Sequence, residues 1–125
     1  MNSSQNYTFK FKEEDIRKNK FKSVICYIPL LCFIPIIVKN KSEFIKFHTN
    51  QGLSLFIVEL LSLIIYCVVS FLASAFSLAA LTIGLNFVAS FLLIIELSIL
   101  LIGIMNASGG LAKSLPFIGG IEILK

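Results

Sequence analysis

Two stretches, Gln51 to about Leu72 and about Leu85 to Asn106, are apolar at nearly every position, and their few polar residues recur at intervals of three and four. On the first stretch that spacing joins Gln51, Glu59, Ser62, Tyr66 and Ser70. On the second it joins Asn86, Ala89, Glu96, Gly103 and Ala107. A period near 3.6 predicts helices, each with one stripe of polar or small residues on a lipid-like surface. Small residues let helix backbones approach, and polar ones hydrogen-bond across the contact. Ser77–Gly84, between the stretches, reads as a turn of small residues. A hairpin closing at Ser77–Leu78 sets Glu59 opposite Glu96, Gly52 opposite Gly103, Tyr66 opposite Ala89, and Ser70 near Asn86.

The flanks differ. Residues 1–22 are polar and read as a cytoplasmic tail, either disordered or with a short amphipathic helix around Phe11–Phe21. Residues 24–38, VICYIPLLCFIPIIV, are apolar but interrupted by Pro29 and Pro35. As one helix they would reach about 22 Å, short of the roughly 30 Å hydrocarbon core, and both prolines break the helical ladder. Basic residues flank both ends. A re-entrant segment and a short tilted span are both compatible with this pattern. Ser42 is a candidate N-cap for the helix that follows, and Gly109-Gly110 a stop signal after the second stretch. The tail after Gly110, with Pro116, Gly119 and Gly120, reads as extended or lying along the interface.

The predicted fold class is therefore an all-α membrane protein: a short Pro-broken helix, re-entrant or short-span, followed by a two-helix transmembrane hairpin. The expected organisation is a basic tail over 1–22, a membrane domain over 23–110 with spans at 51–72 and 85–106, and an interfacial tail over 111–125.

Composition sharpens this picture. The 125 residues are 57% hydrophobic and 14% charged, and mean hydropathy is +0.91. Between Lys46 and Lys113 there is no basic residue, and Glu59 and Glu96 are the acidic ones. A soluble domain of this size has too little interior to hide such a run. That excludes a soluble enzyme, a disulfide scaffold, a disordered chain and a coiled coil. Formal net charge is +4, with lysines and arginine gathered before, within and after the 24–46 region. They are expected to face the cytoplasm and to meet anionic headgroups rather than nucleic acid. No small-x-small cleavage pattern follows Val38, so the first apolar segment is expected to remain in the mature protein.

Candidate chemistry is sparse. Cys26, Cys32 and Cys67 match no metal spacing and read as small apolar packing residues. His48 is the single histidine and reads as an interfacial side chain. Two carboxylates at similar depth cannot both ionise cheaply. Glu59 and Glu96 are thus either a proton- or cation-binding pair or a hydrogen-bonded staple between helices. No catalytic, cofactor or metal site is expected.

Three stretches carry a family resemblance: Tyr27–Val38, Glu43–Leu53 and Gly103–Leu124. They resemble small bacterial membrane proteins of unknown function related to the chloroplast inner-envelope protein-import channel component. Phe47-His48 and Asn50-Gln51-Gly52 match that group's hallmark block, with Thr49 where a smaller residue is common. Gly119-Gly120 departs from its usual glycine followed by a polar or basic residue. The chloroplast relatives imply polypeptide translocation.

The expected function is a small multi-span protein of a bacterial plasma membrane. It would be structural or accessory, packing as a homo-oligomer or with a larger membrane partner, and not an enzyme. A transport or translocation component using Glu59 and Glu96, and an immunity protein against membrane-active peptides, are the alternatives.

Overall fold

The computed structural model describes residues 5–121 and 123–124. Helix α1 (Glu13–Ser23) is short and polar. Helix α2 (Ile34–Ile37) is a single turn. Helices α3 (Glu43–Ala75) and α4 (Ala79–Ser108) are long, apolar and packed against each other.

The start of α3 is built from polar side chains. Asn40 Oδ1 accepts the Ser42 N–H at 2.9 Å, and Ser42 Oγ accepts the Ile45 N–H at 3.1 Å, the N-cap arrangement that supplies a free helix donor with a partner. Asp15 reaches over from α1 and accepts the Phe44 N–H at 3.2 Å. Its carboxyl is pushed up by burial. Hydrogen bonds from Ser42, the Phe44 N–H, Asn19 and the Glu43 N–H outweigh that push and hold it below the usual carboxylate range.

Both long helices end in the same backbone motif. At α4, Gly110 donates to Ala107 O and Leu111 to Asn106 O, with Gly110 at φ +72°. At α3, Ser77 donates to Ser74 O and Leu78 to Ala73 O, with Ser77 at φ +54°. These are Schellman ends, one with the expected glycine and one with serine in its place. The stop at Gly109-Gly110 is as the sequence indicates. The turn, however, is tighter than Ser77–Gly84. Ala79–Gly84 is already helical, because the motif at Ser77 reverses the chain in two residues and alanine and leucine then favour helix.

The buried core occupies one end of the molecule. On α3 the residues from Phe44 to Leu55 include nearly all the buried positions, with Ala73 the exception near the turn. On α4 they are Gly103 and Ala107. A cap covers this end, made of α1, the 24–38 region and the C-terminal segment. The 24–38 region is no continuous helix. A 3₁₀ turn over Val24–Tyr27, another over Leu31–Phe33 and α2 follow one another, as two prolines and a positive φ at Leu30 dictate. The C-terminal segment does not run free: Leu115 and Ile118 are buried in the core with Tyr27, Leu55 and Ala107. The N-terminal stretch joins the same cap. Tyr7 donates to Ala112 O at 2.7 Å, Ser114 donates to Gln5 O at 2.9 Å, and Asn6 and Lys113 form an antiparallel bridge.

Beyond the cap the hairpin is bare. Phe71, Phe87 and Phe91 are 73%, 77% and 65% exposed. Each long helix has a window of mean hydropathy 2.6, with length and composition sufficient to cross a membrane.

Candidate functional site

The stripes on the two long helices do meet. Ser62 Oγ donates to Glu96 Oε1 at 2.8 Å and lies 2.9 Å from the Glu59 carbonyl oxygen. Nearer the turn, Tyr66 Oη donates to Asn86 Oδ1 at 2.8 Å. Ser70 lies half-buried one turn further along α3. Glu96 and Tyr66 thus each reach a residue about one turn closer to the hairpin corner than the expected opposite positions, Glu59 and Ala89. Glu59 also lines a narrow crevice with Pro29, Cys32, Leu55 and Phe56, so its neighbourhood includes the Pro-broken region as well as α4.

One expected contact is corrected. Gly52 and Gly103 do not meet each other. A Cβ on Gly52 would lie 1.7 Å from the Cys26 carbonyl oxygen, and one on Gly103 would lie 2.4 Å from the Tyr27 ring. The Cys26–Tyr27 backbone and ring therefore sit between the two glycines. The small residues open a slot for a third piece of chain, which a two-helix argument could not anticipate.

The Phe47–Gly52 block organises the cap. His48 is fully buried, and its Nδ1 is hydrogen-bonded to Tyr27 Oη at 2.8 Å. Phe44, Phe47 and Tyr27 surround its ring, with centroids at 4.6, 5.3 and 5.7 Å. Phe11 extends the cluster onto Phe44 and Phe47 at 5.9 and 5.8 Å. His48 Nε2 has no hydrogen-bond partner among the described residues. Placing His48 at the interface is thus corrected: the aromatic cluster takes it into the interior of the cap.

Asn50 and Gln51 hold the C-terminal segment. Gln51 Oε1 accepts the Leu115 N–H at 2.8 Å and its Nε2 donates to Gly119 O at 3.1 Å. Asn50 Oδ1 accepts the Ile123 and Leu124 N–H groups at 3.0 and 2.6 Å, and its Nδ2 donates to Leu124 O at 3.0 Å. Both amides satisfy backbone groups that irregular chain leaves open. Sequence reading missed Tyr27, Phe44 and Thr49 as partners in this cap. Tyr27 carried one usable signal, a phenol inside an apolar run, which must find a polar partner when buried.

Among the described residues no group of three or more His, Cys, Asp or Glu side chains is placed to hold a metal ion. Cys26 and Cys32 are buried and Cys67 is exposed on the apolar surface. Cys26 Sγ lies 3.3 Å from Thr49 Oγ1, which itself donates to Ile45 O at 2.8 Å.

Comparison with known proteins corrects the resemblance drawn from the three sequence stretches. No family model matches the chain, so membership of the import-channel-related group is not supported. The similarity found is to magnetosome protein MmsF of Paramagnetospirillum magneticum. It is 37% identical over 41 residues, covering 33% of this chain and 38% of that protein. No solved structure matches.

Proposed function

We propose that this chain is a bacterial integral membrane protein whose α3–α4 hairpin crosses the plasma membrane twice, with the cap on the cytoplasmic side. The observation that carries this reading is the confinement of the core to one end of two long apolar helices. From Phe56 to the turn, α3 extends about 30 Å, the thickness of a hydrocarbon core, and its surface there is largely uncovered.

In this arrangement the 24–38 region is re-entrant. It leaves α1 at the cap, packs against Gly52, Phe56 and Gly103, and returns to the start of α3. Ile34, Ile37 and Val38 are exposed along it, as suits a segment at the boundary between headgroups and acyl chains. Cys26, Tyr27 and Cys32 are buried and anchor the region to the protein.

Glu59 and Glu96 then lie close to the cytoplasmic boundary, because the cap covers the first turns of α3. A polar group there is much less costly than at mid-membrane. The Ser62–Glu96 bond favours a staple between helices over a proton relay. The role that follows is structural or accessory, without catalytic activity. The bare hairpin is a surface for lipid, a second copy or a larger membrane protein. Alkaline carbonate treatment of isolated membranes tests the first step: the protein stays in the pellet, whereas release with peripheral proteins would refute membrane insertion.

A further inference from the structure

A cavity of about 260 Å³ opens between α2 and the first turns of α3, lined by Pro35, Ile36, Lys39, Asn40, Ile45, Lys46, Thr49 and Leu124. Its walls divide by chemistry. Pro35, Ile36, Ile45 and Leu124 are apolar. Lys39 and Lys46 bring two cations, and Asn40 and Thr49 bring polar groups. Asn40 is fixed in place because its Oδ1 accepts the Ser42 N–H.

Lys39 occupies a position that disfavours lysine. Its backbone lies at φ +49°. Lys39 donates to Ile36 O and Asn40 to Pro35 O, the Schellman pattern that ordinarily selects glycine. A lysine there gives up local stability that glycine would keep. Immediately beside it, Ile37 and Val38 are 76% and 68% exposed.

We infer that this cavity binds the phosphate headgroup of one anionic glycerophospholipid, held by Lys39 and Lys46, with the acyl chains lying outside along Ile37 and Val38. The inference rests on the membrane reading given above. The cavity is too small for a whole lipid and accommodates a phosphate with part of its glycerol. Basic pockets at the cytoplasmic boundary are suited to such headgroups. A phosphatidylcholine headgroup carries its own cation, which would meet the second lysine unfavourably, so the site should discriminate by net charge.

The test uses the full chain in detergent, titrated with phosphatidylglycerol or phosphatidylcholine and read by native mass spectrometry. The expected result is a single phosphatidylglycerol retained about tenfold or more better than phosphatidylcholine. Lys39→Gly combined with Lys46→Gln should abolish that preference. Lys39→Gly suits its backbone, so this variant should fold at least as well as the wild type. Ile36→Trp, which fills the cavity and leaves both lysines, should also lose the bound lipid. Equal retention of the two lipids by the wild type would overturn the site. So would undiminished phosphatidylglycerol binding in both variants. Displacement of the lipid by millimolar inorganic phosphate or glycerol 3-phosphate would overturn the lipid assignment in favour of a soluble phosphate ligand. Absence of any lipid preference in a wild-type protein that still resists carbonate extraction would reject the site alone, whereas release of the wild type by carbonate would reject the membrane reading beneath it.

Discussion

Tyr27 and His48, 21 residues apart in sequence, share a buried hydrogen bond of 2.8 Å, and this bond ties the Pro-broken region to the first turns of α3. Among the described residues His48 Nε2 has no hydrogen-bond partner, so the Tyr27 bond is what satisfies the ring. Tyr27→Phe should therefore cost about 1–3 kcal/mol, the range for stranding a buried polar group. Thermal unfolding in detergent measures it. A variant as stable as the wild type would show that the bond does not hold the cap.

The slot that receives Cys26–Tyr27 makes an ordered prediction for three glycines. Gly52→Ala places a carbon against backbone, at the Cys26 carbonyl, and the region must move away. Gly103→Ala meets the Tyr27 ring, which can shift. Gly84→Ala meets nothing within 4 Å and should be neutral or stabilising by up to about 1 kcal/mol. Unfolding temperatures should fall in the order Gly84→Ala, Gly103→Ala, Gly52→Ala, and equal values for the three would refute the slot.

Ser77 offers a gain in stability. It holds the left-handed position that Gly110 fills at the other helix end, and leaving glycine out there costs roughly 1–2 kcal/mol before the unfolded-state entropy of glycine is subtracted. Ser77→Gly should raise the unfolding temperature slightly. A lower temperature would mean that the serine side chain has a role in the corner.

Acid should loosen the junction of α1 and α3. The Asp15 carboxyl is held below its ordinary value in the folded protein. Its contribution is thus complete above an unfolded value of about 3.9 and is lost as pH falls through the lower folded value. Asp15→Asn should flatten the stability profile in that acid window and leave the profile unchanged in shape near neutrality. Identical acid profiles for the two proteins would exclude this role.

The seam separates a staple from a relay. Glu96→Gln keeps an acceptor for Ser62 and should preserve the fold, whereas Glu96→Ala should cost about 0.6–1.7 kcal/mol, as interhelical bonds in membranes do. Equal destabilisation by both substitutions would show that charge, not hydrogen bonding, is what Glu96 provides.

Much of this architecture is legible in the sequence because it is local. Ser42 as N-cap, Gly109-Gly110 as stop and the meeting of two polar stripes follow from spacing and residue chemistry. The cap is not legible in the same way. It depends on Asn50 and Gln51 reaching the C-terminal segment, on Asp15 reaching α3, and on Tyr27 entering a slot between α3 and α4. Each of these contacts joins residues far apart in sequence, and periodicity within one helix carries no information about a third piece of chain. Gly52 and Gly103 each meet the Cys26–Tyr27 region rather than each other for that reason: small residues announce a close approach without saying what approaches.

In the proposed arrangement α3 and α4 cross the membrane and the cap sits on the cytoplasmic side. With Cys26, Cys32 and Cys67 replaced, single cysteines introduced at Lys12, Lys41, Ser77 and Gly120 and labelled in intact cells with an impermeant maleimide report on this topology. Ser77→Cys should be labelled from outside, while Lys12→Cys, Lys41→Cys and Gly120→Cys should react only after permeabilisation. Labelling of Lys12→Cys from outside with Lys41→Cys protected would contradict it, because the 24–38 region would then cross the membrane.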